Sequence, residues 1–388
     1  MNEKSNLLKK AEDISLNRVS LAKEFQEKGG KIIGYPCAMV PVEMITAAGL
    51  IPHRLYADMS EVITEADRAL PAAFCPIMRS CLDCALKGRN EFLDGIAAVH
   101  SCDPQEKTLR VWESYAPSRY FHFLDLPATV RPEVGNYFKG QLEDFRKTLE
   151  SFAGREVSGE SLARAIDSHN QQRTLVQKLY GMTRDDPPPV SGAEILEVIK
   201  ALLSLPVDEG NELLRRILAE IQANPSRRKE KKARLLLWTS TLDDPELMRM
   251  IEDRAWVVID DNCAGLRPFH SQVQQTQDPL DGLAQYYLKE IHCARTFRES
   301  HPGGIRKLKE EDQQSRFGFL KDRARQWKVQ GALLFLVRYC DPFAFEMMEL
   351  KDYFDDIGVP STYIEYDYSR GGLGPLRTRV EAFLETLG

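Results

Sequence analysis

The chain has 388 residues, of which 43% are hydrophobic, 28% charged and 9% aromatic, and its net charge is −6. These values are ordinary for a folded protein of about two domains, and the lack of basic runs interleaved with aromatics argues against a nucleic-acid partner. No apolar run approaches the ~20 residues of a membrane-spanning helix, and residues 1–10 lack the apolar centre of a signal peptide, which predicts a cytoplasmic protein with no membrane partner.

The first part of the chain predicts a helical lead-in, residues 1–30, and then an alternation of strands and helices over residues 31–132. An alternation of this kind is typical of a parallel, doubly wound sheet. The predicted strands of this part are Lys31–Tyr35, Leu50–Leu55, Phe92–His100 and Tyr120–Leu124.

Strand patterns disappear over residues 133–232, where four amphipathic helices are predicted, and return over residues 233–388. The predicted strands of this last part are Arg234–Thr239, Trp256–Asp260, Gln330–Val337 and Ser361–Glu365. We therefore predict an α/β protein with two Rossmann-like doubly wound domains, residues 31–132 and 233–388, and a helical cap or insert between them.

A weak internal repeat relates the two alternating parts. DGIAAVHSCDP ends at Pro104 and GALLFLVRYCDP ends at Pro342, and each is an apolar strand followed by Cys-Asp-Pro. Helices are predicted soon afterwards, over Lys107–Ser114 and Phe345–Phe354. Because ligands of such sheets gather beyond the carboxyl ends of the strands, Cys102 and Cys340 are expected to meet in one cleft.

The chain contains eight cysteines, and in a long cytoplasmic chain this number favours metal or redox chemistry over a disulfide framework. Cys75 precedes a predicted helix, whose N-terminus stabilises a thiolate. Together with Cys102 and Cys340 it would hold three irons of a cubane cluster and leave the fourth open. The alternative is that each is an ordinary buried cysteine.

The other cysteines give weaker patterns. Cys75, Cys81 and Cys84 form C-x5-C-x2-C, but a predicted helix over Ile77–Leu86 and the missing fourth cysteine argue against a local ferredoxin-type cluster. Cys263 is expected to line the cleft or to pack beside it. Cys293 is interpreted as part of the core.

Three further residues are candidates for proton transfer, each with a structural alternative. Glu43 lies in the first turn of a predicted helix, where carboxylates are favoured by the dipole alone. His100 precedes the Cys102 loop, and His122 lies in a strand, where a lone histidine is usually structural. No G-x-G-x-x-G follows a strand and no Walker A sequence occurs, so no nucleotide site is predicted.

Six segments in order carry a family resemblance that runs from about Gly34 to Leu387. The chain resembles the 2-hydroxyacyl-CoA dehydratase family, which also includes benzoyl-CoA reductase subunits. The segments are GYPCAMVPVEMITAAGLIP, FCPIMRS, SCDP, DDNCAGLRPF, RYCDPFAFE and GPLRTRVEAFLE.

The resemblance implies a [4Fe-4S] cluster with one open iron, held by the cysteines that match the family's ligands: Cys75, Cys102 and Cys340. It also implies a paralogous second subunit, a helical cap, and a separate ATP-dependent iron–sulfur activator. In dehydratases of this kind, one low-potential electron converts the acyl-CoA thioester into a ketyl radical anion that expels the hydroxyl group.

The resemblance further implies two features around the substrate. The family's P-x-E element falls on Glu43, which is carried over as an acid–base or cluster-neighbouring residue. The segment around Cys37 and Ala38 is expected to line the same pocket.

Several functions stay open at this point. Ring reduction by a benzoyl-CoA reductase subunit and a non-catalytic paralogous subunit are alternatives to dehydration, although RYCDPFAFE leans towards a dehydratase. A related subgroup, with double-cubane clusters that reduce small molecules, has an extra cysteine between its first two ligands. The stretch between Cys75 and Cys102 is too short for that insertion, but Cys263 and Cys293 resemble the second ligand set and Cys84 is a possible substitute.

Overall fold

The computed structural model describes residues 5–224, 230–298 and 309–388. Two four-stranded sheets, parallel throughout, form its two centres. The first contains β1 (Ile32–Tyr35), β2 (Ile51–Arg54), β3 (Gly95–Val99) and β4 (Tyr120–Leu124) in the order β2-β1-β3-β4. The second contains β5 (Ala233–Thr239), β6 (Ala255–Asp261), β7 (Gly331–Val337) and β8 (Ser361–Tyr366) in the order β6-β5-β7-β8.

The two sheets have the same strand order, as the internal repeat predicts, and the predicted α/β fold with two Rossmann-like parallel sheets is confirmed. In each sheet the first and third strands are neighbours, with Ile33 beside Gly95 and Leu235 beside Gly331. The strand order reverses between these two strands. A crevice for ligands therefore opens beyond their carboxyl ends.

Helices account for most of the remaining described residues. Before the second sheet they are α1 (Asn6–Leu16), α2 (Arg18–Glu27), α3 (Val42–Ala47), α4 (Pro76–Leu86), α5 (Asp103–Tyr115), α6 (Val134–Ala153), α7 (Gly159–Met182), α8 (Gly192–Leu202) and α9 (Val207–Ala223). Among and after the second set of strands they are α10 (Pro245–Glu252), α11 (Pro279–Gln285), α12 (Lys309–Gln326), α13 (Asp341–Asp356) and α14 (Leu373–Glu385). In the described ranges, no helix is both long and apolar enough to cross a bilayer.

Both sheets are covered on both faces, which explains their nearly continuous apolar strands. In β3, Ala97 and Val99 pack in one core with residues of α3 and α6, whereas Ile96 and Ala98 pack in another with residues of α4 and α5. All residues of β3 and β7 are buried. The domain limits at residues 30, 132 and 232 stay predictions, although helices α6–α9 follow one another between the two sheets.

Helices α5 and α13 begin earlier than predicted. Each starts at the aspartate of Cys-Asp-Pro, so that Cys102 and Cys340 become the residues that cap the helices. The proline falls in the first turn. Backbone N–H groups there have no partner within the helix, so the N–H that proline lacks costs no hydrogen bond, and the fixed φ of proline suits the helix. The prediction placed these starts too late because it treated Cys-Asp-Pro as a loop.

Candidate functional site

Three helices begin at the three cysteines that the sequence singles out. Cys75 caps α4, Cys102 caps α5 and Cys340 caps α13. Backbone N–H groups in the first turn of each helix act on its cysteine and favour the thiolate, although no capping hydrogen bond to the sulfur is formed. These groups belong to Ile77 and Met78 for Cys75, to Gln105 for Cys102, and to Phe343 for Cys340.

The structure brings these thiols together between the two sheets. The charge of Cys75 acts on Cys102, and the charges of both act on Cys340. In the described ranges, the group of three possible metal ligands whose ligand atoms all lie within 4.8 Å of one another is His100, Asp103 and Glu106. The three sulfurs therefore stand further apart than this limit. Cysteines of a cubane bind different irons and stand further apart than ligands of one ion. The arrangement therefore does not match a site for a single metal ion.

Burial governs the ionisation of the three thiols. It raises the pKa of Cys102 to about 12 and raises the pKa values of Cys75 and Cys340 above the usual value. The backbone N–H groups act in the opposite direction because they favour the thiolate. A metal held by these thiols would have to displace their protons, and the three helix N-termini favour the resulting negative charge.

A second group of thiols lies beside the first. The Cys37 thiol, which follows β1, is hydrogen-bonded to Cys263, which follows β6, and Arg54 Nη2 donates to Cys263 Sγ at 3.3 Å. The bond from Cys37, aided by Arg54, holds the pKa of Cys263 well below its usual value. Cys293 packs against the core, as expected, but the charge of Cys263 acts on it and its own charge acts on Cys102. The two groups of thiols are thus continuous.

A small cavity of about 50 Å³ borders the second group of thiols. Ala38, Arg54 and Cys263 line it, so the segment implied by the resemblance does face a cavity. Arg54 Nε and Gln172 Nε2 are buried and have no hydrogen-bond partner among the described atoms. The cavity thus offers two free donors to a small hydrogen-bond acceptor.

Glu43 is fully buried under this cavity rather than exposed to it. Its carboxylate pairs with Arg173 and accepts a hydrogen bond of 2.8 Å from Tyr287 Oη, while Arg173 Nε donates to Tyr286 Oη at 3.1 Å. Burial alone would raise the pKa of Glu43, but Arg173 holds it below the usual range. Its partners line the cavity. The geometry therefore supports a positioning role, and the acid–base role stays a prediction.

The two candidate histidines have different surroundings. His100 follows β3, and its Nδ1 lies 3.3 Å from Asp125 Oδ1. His122 is hydrogen-bonded to Thr148 Oγ1 at 2.9 Å, and burial lowers the pKa of its ring to about 4. The contacts of His122 suit the structural alternative, whereas His100 lies two residues before Cys102 and remains a candidate for proton transfer.

Cys81 and Cys84 differ in their surroundings from the three helix-capping cysteines, although the charges of Cys84 and Cys75 act on Cys81. Cys81 is buried in the core beneath α4, and Cys84 lines a separate hollow of about 600 Å³ beside Arg18 and Asp58. Both side chains lie on the helix that Cys75 caps. The expectation that C-x5-C-x2-C is not a ferredoxin-type site stays a prediction.

The family model for the D-component of 2-hydroxyglutaryl-CoA dehydratase matches residues 37–387. The chain belongs to this family. A benzoyl-CoA reductase subunit of Thauera aromatica is 28% identical to it over 92% of this chain and 91% of the relative. The (R)-phenyllactyl-CoA dehydratase beta subunit of Clostridium sporogenes is 23% identical over 95% and 94%, and the (R)-2-hydroxyglutaryl-CoA dehydratase subunit beta of Acidaminococcus fermentans is 21% identical over 99% of each.

The predicted family is therefore confirmed, and the expectation of an enzyme subunit of dehydratase or reductase type agrees with these relatives. In this member of the dehydratase family, sequence reasoning missed the grouping of Cys37 with Cys263 and the arginines around the thiols. Cys37 lies two residues after the end of β1 and Arg54 is the last residue of β2, so the rule that ligands gather beyond the carboxyl ends of parallel strands would have found both. Arg295 follows no pattern that could have placed it there.

Proposed function

We propose that the chain is the iron–sulfur subunit of an enzyme of the (R)-2-hydroxyacyl-CoA dehydratase type. In this proposal one [4Fe-4S] cluster is held by Cys75, Cys102 and Cys340, and its fourth iron is open. The observation that carries the proposal is the convergence of three thiols, each at a helix N-terminus, between the two sheets.

The cluster, when bound, supplies one low-potential electron to an acyl-CoA thioester. The residues of the chain bind and tune it: three thiolates hold three irons, and the first-turn N–H groups of α4, α5 and α13 stabilise the charge. Apolar packing around the sheets partly buries these cysteines. No step of this scheme needs a nucleotide site in the chain.

The names of the relatives support the assembly in this proposal. Two of them are beta subunits of dehydratases and one is a reductase subunit, so each works beside other subunits. We accordingly propose a paralogous second subunit and an ATP-dependent iron–sulfur activator that delivers the electron. Because one relative belongs to a reductase, turnover of the assembled enzyme should be compared for a 2-hydroxyacyl-CoA and an aryl-CoA substrate.

Iron and acid-labile sulfide per chain, measured on anaerobically purified protein, test the cluster directly. We expect about four of each in the wild type, because one cubane contains four irons and four sulfides. The Cys102→Ala variant should lose most of this iron, whereas Cys84→Ala, a control outside both thiol groups, should keep it. Near-zero iron in the wild type, or equal losses in both variants, would contradict the proposal.

A double-cubane cluster that reduces a small molecule is a second candidate, and one observation favours it. Cys37, Cys263 and Cys293 form a second group of three beside Cys102. In this candidate, the third cysteine of the second ligand set is thus Cys37 and not Cys84. This candidate predicts about eight irons per chain, falling to about four in Cys263→Ala. A single cubane predicts about four irons in both proteins.

A non-catalytic subunit is the remaining alternative from the sequence. Such a chain would keep the iron but would not bind an acyl-CoA. Calorimetric titration of the iron-loaded chain with an acyl-CoA separates this alternative from the two enzymatic ones.

A further inference from the structure

The Arg295 side chain bridges two backbone segments of the first sheet, the one that follows β3 and the one that follows β4. Its guanidinium donates to four carbonyl oxygens, two after β3 and two after β4. They are those of His100 at 3.1 Å, Ser101 at 3.4 Å, Leu126 at 2.8 Å and Pro127 at 2.6 Å. Because Ser101 directly precedes Cys102, this contact fixes the backbone that carries one of the three thiols.

Within residues 5–224, 230–298 and 309–388, the charge of Arg295 has no carboxylate partner, since no carboxylate oxygen of these residues lies within 4.0 Å of its nitrogens. Asp125, which acts on it from a greater distance, is engaged by His100 at 3.3 Å and by Tyr137 Oη at 2.6 Å. The side chain is partly buried, and this burial lowers its pKa. A cation withdrawn from water without a counter-charge is costly.

Two other arginines around the thiols have side-chain partners of their own. Arg267 Nη2 pairs with Asp261 Oδ2 at 2.9 Å, and Arg54 Nη2 donates to Cys263 Sγ at 3.3 Å. The charge of Arg295 acts on thiols of both groups, namely Cys293, Cys37 and Cys102. Among the residues that the structure describes, the counter-charge for Arg295 is therefore to be sought on the side of the thiols.

We propose that Arg295 is a positioning residue for the Cys102 loop and supplies the counter-charge for the cluster bound there. This inference rests on the proposed function. A cluster held by thiolates is anionic and becomes more so on reduction, so a nearby fixed cation favours the reduced state and raises the reduction potential. Without this cation, the cluster would accept an electron from the activator less readily.

The test compares the midpoint potential of the cluster in iron-loaded wild type, Arg295→Met, Arg295→Gln and Arg295→Lys, by anaerobic titration with EPR detection. We expect Arg295→Met and Arg295→Gln to lower the equilibrium constant for one-electron reduction by about tenfold, a shift of about 59 mV to more negative potential. Arg295→Lys keeps the charge and should show less than half of this shift. A second attachment of the segment, from Phe297 N to Ala128 O at 2.7 Å, favours correct folding of these variants.

Arg234 provides a matched control. It too donates to backbone carbonyls, those of Trp327, Thr183, Arg184 and Asp185, but it lies at the start of β5, away from the thiols. Arg234→Met should lower the melting temperature without moving the potential. An unchanged potential in Arg295→Met and Arg295→Gln, or an equal shift in Arg234→Met, would overturn the inference alone. Iron-free wild-type protein would overturn the proposed function and this inference with it.

Discussion

Single residues in this protein owe their roles to a few buried charges. Glu43 and Arg173 form an ion pair inside the protein, and the hydroxyls of Tyr286 and Tyr287 complete their hydrogen bonds. A buried pair of this kind contributes little net stability, but removal of one partner leaves the other charge uncompensated. Glu43, which the resemblance predicts to be an acid–base or cluster-neighbouring residue, thus has a structural role in this buried pair.

Glu43→Gln is expected to lower the free energy of unfolding by about 3–5 kcal/mol, because Arg173 loses its counter-charge inside the protein. Urea denaturation at pH 7 measures this loss. Glu65→Gln is a suitable control, since Glu65 pairs with Arg68 at the surface and its loss should change stability by less than about 0.5 kcal/mol. Normal stability of Glu43→Gln together with lost turnover would instead favour a direct catalytic role.

At the scale of elements, strand β3 places Cys102, and its packing against β4 leaves little space. A side chain at Gly95 would bring its Cβ to 2.6 Å from Tyr120 Cβ and 2.8 Å from Tyr120 O. Real carbon atoms do not approach so closely, so one strand would have to move. The glycine that starts β3 is therefore required by the neighbouring strand and not by a turn.

Gly95→Ala should destabilise the protein by about 1–3 kcal/mol, because the added methyl group overpacks the contact between β3 and β4. Gly140→Ala is its counterpart within α6, where a Cβ would meet nothing within 4 Å. That variant should gain roughly 0.5–1 kcal/mol from helix propensity. Thermal denaturation should show a lower melting temperature for Gly95→Ala and a higher one for Gly140→Ala. An unchanged melting temperature of Gly95→Ala would show that β3 and β4 can move apart at little cost.

At the scale of the whole molecule, the periodicity of the sequence was enough to predict the two parallel sheets and the helical stretch between them. Strand β4 matches its predicted limits, and the Cys-Asp-Pro repeat led to two of the three candidate thiols. The grouping of Cys37 with Cys263 depends on how the two sheets pack against each other. The contacts of Arg295 have the same origin. Such contacts leave no local pattern in the chain.

The molecule as a whole is expected to be sensitive to acid because it buries neutral histidines. Burial lowers the pKa values of His122, His169 and His270 to about 4, that of His292 to about 3, and that of His53 well below the usual value. In the unfolded chain each would take up a proton below about pH 6.5, so the unfolded state binds more protons and stability falls as the pH drops from about 6.5 towards 4.

His169→Gln isolates one part of this effect. His169 is buried and hydrogen-bonded to Thr46 Oγ1 at 2.9 Å, a contact that a glutamine amide can replace. Between pH 7.5 and 5.0 the wild type should lose roughly 2 kcal/mol through this histidine, at about 1.4 kcal/mol per pH unit below its unfolded pKa. The difference in urea unfolding free energy between the two pH values should shrink by that amount in the variant. Because the comparison uses the change with pH, a general loss of stability in the variant cancels, and an unchanged difference would mean that His169 already takes up its proton in the folded protein.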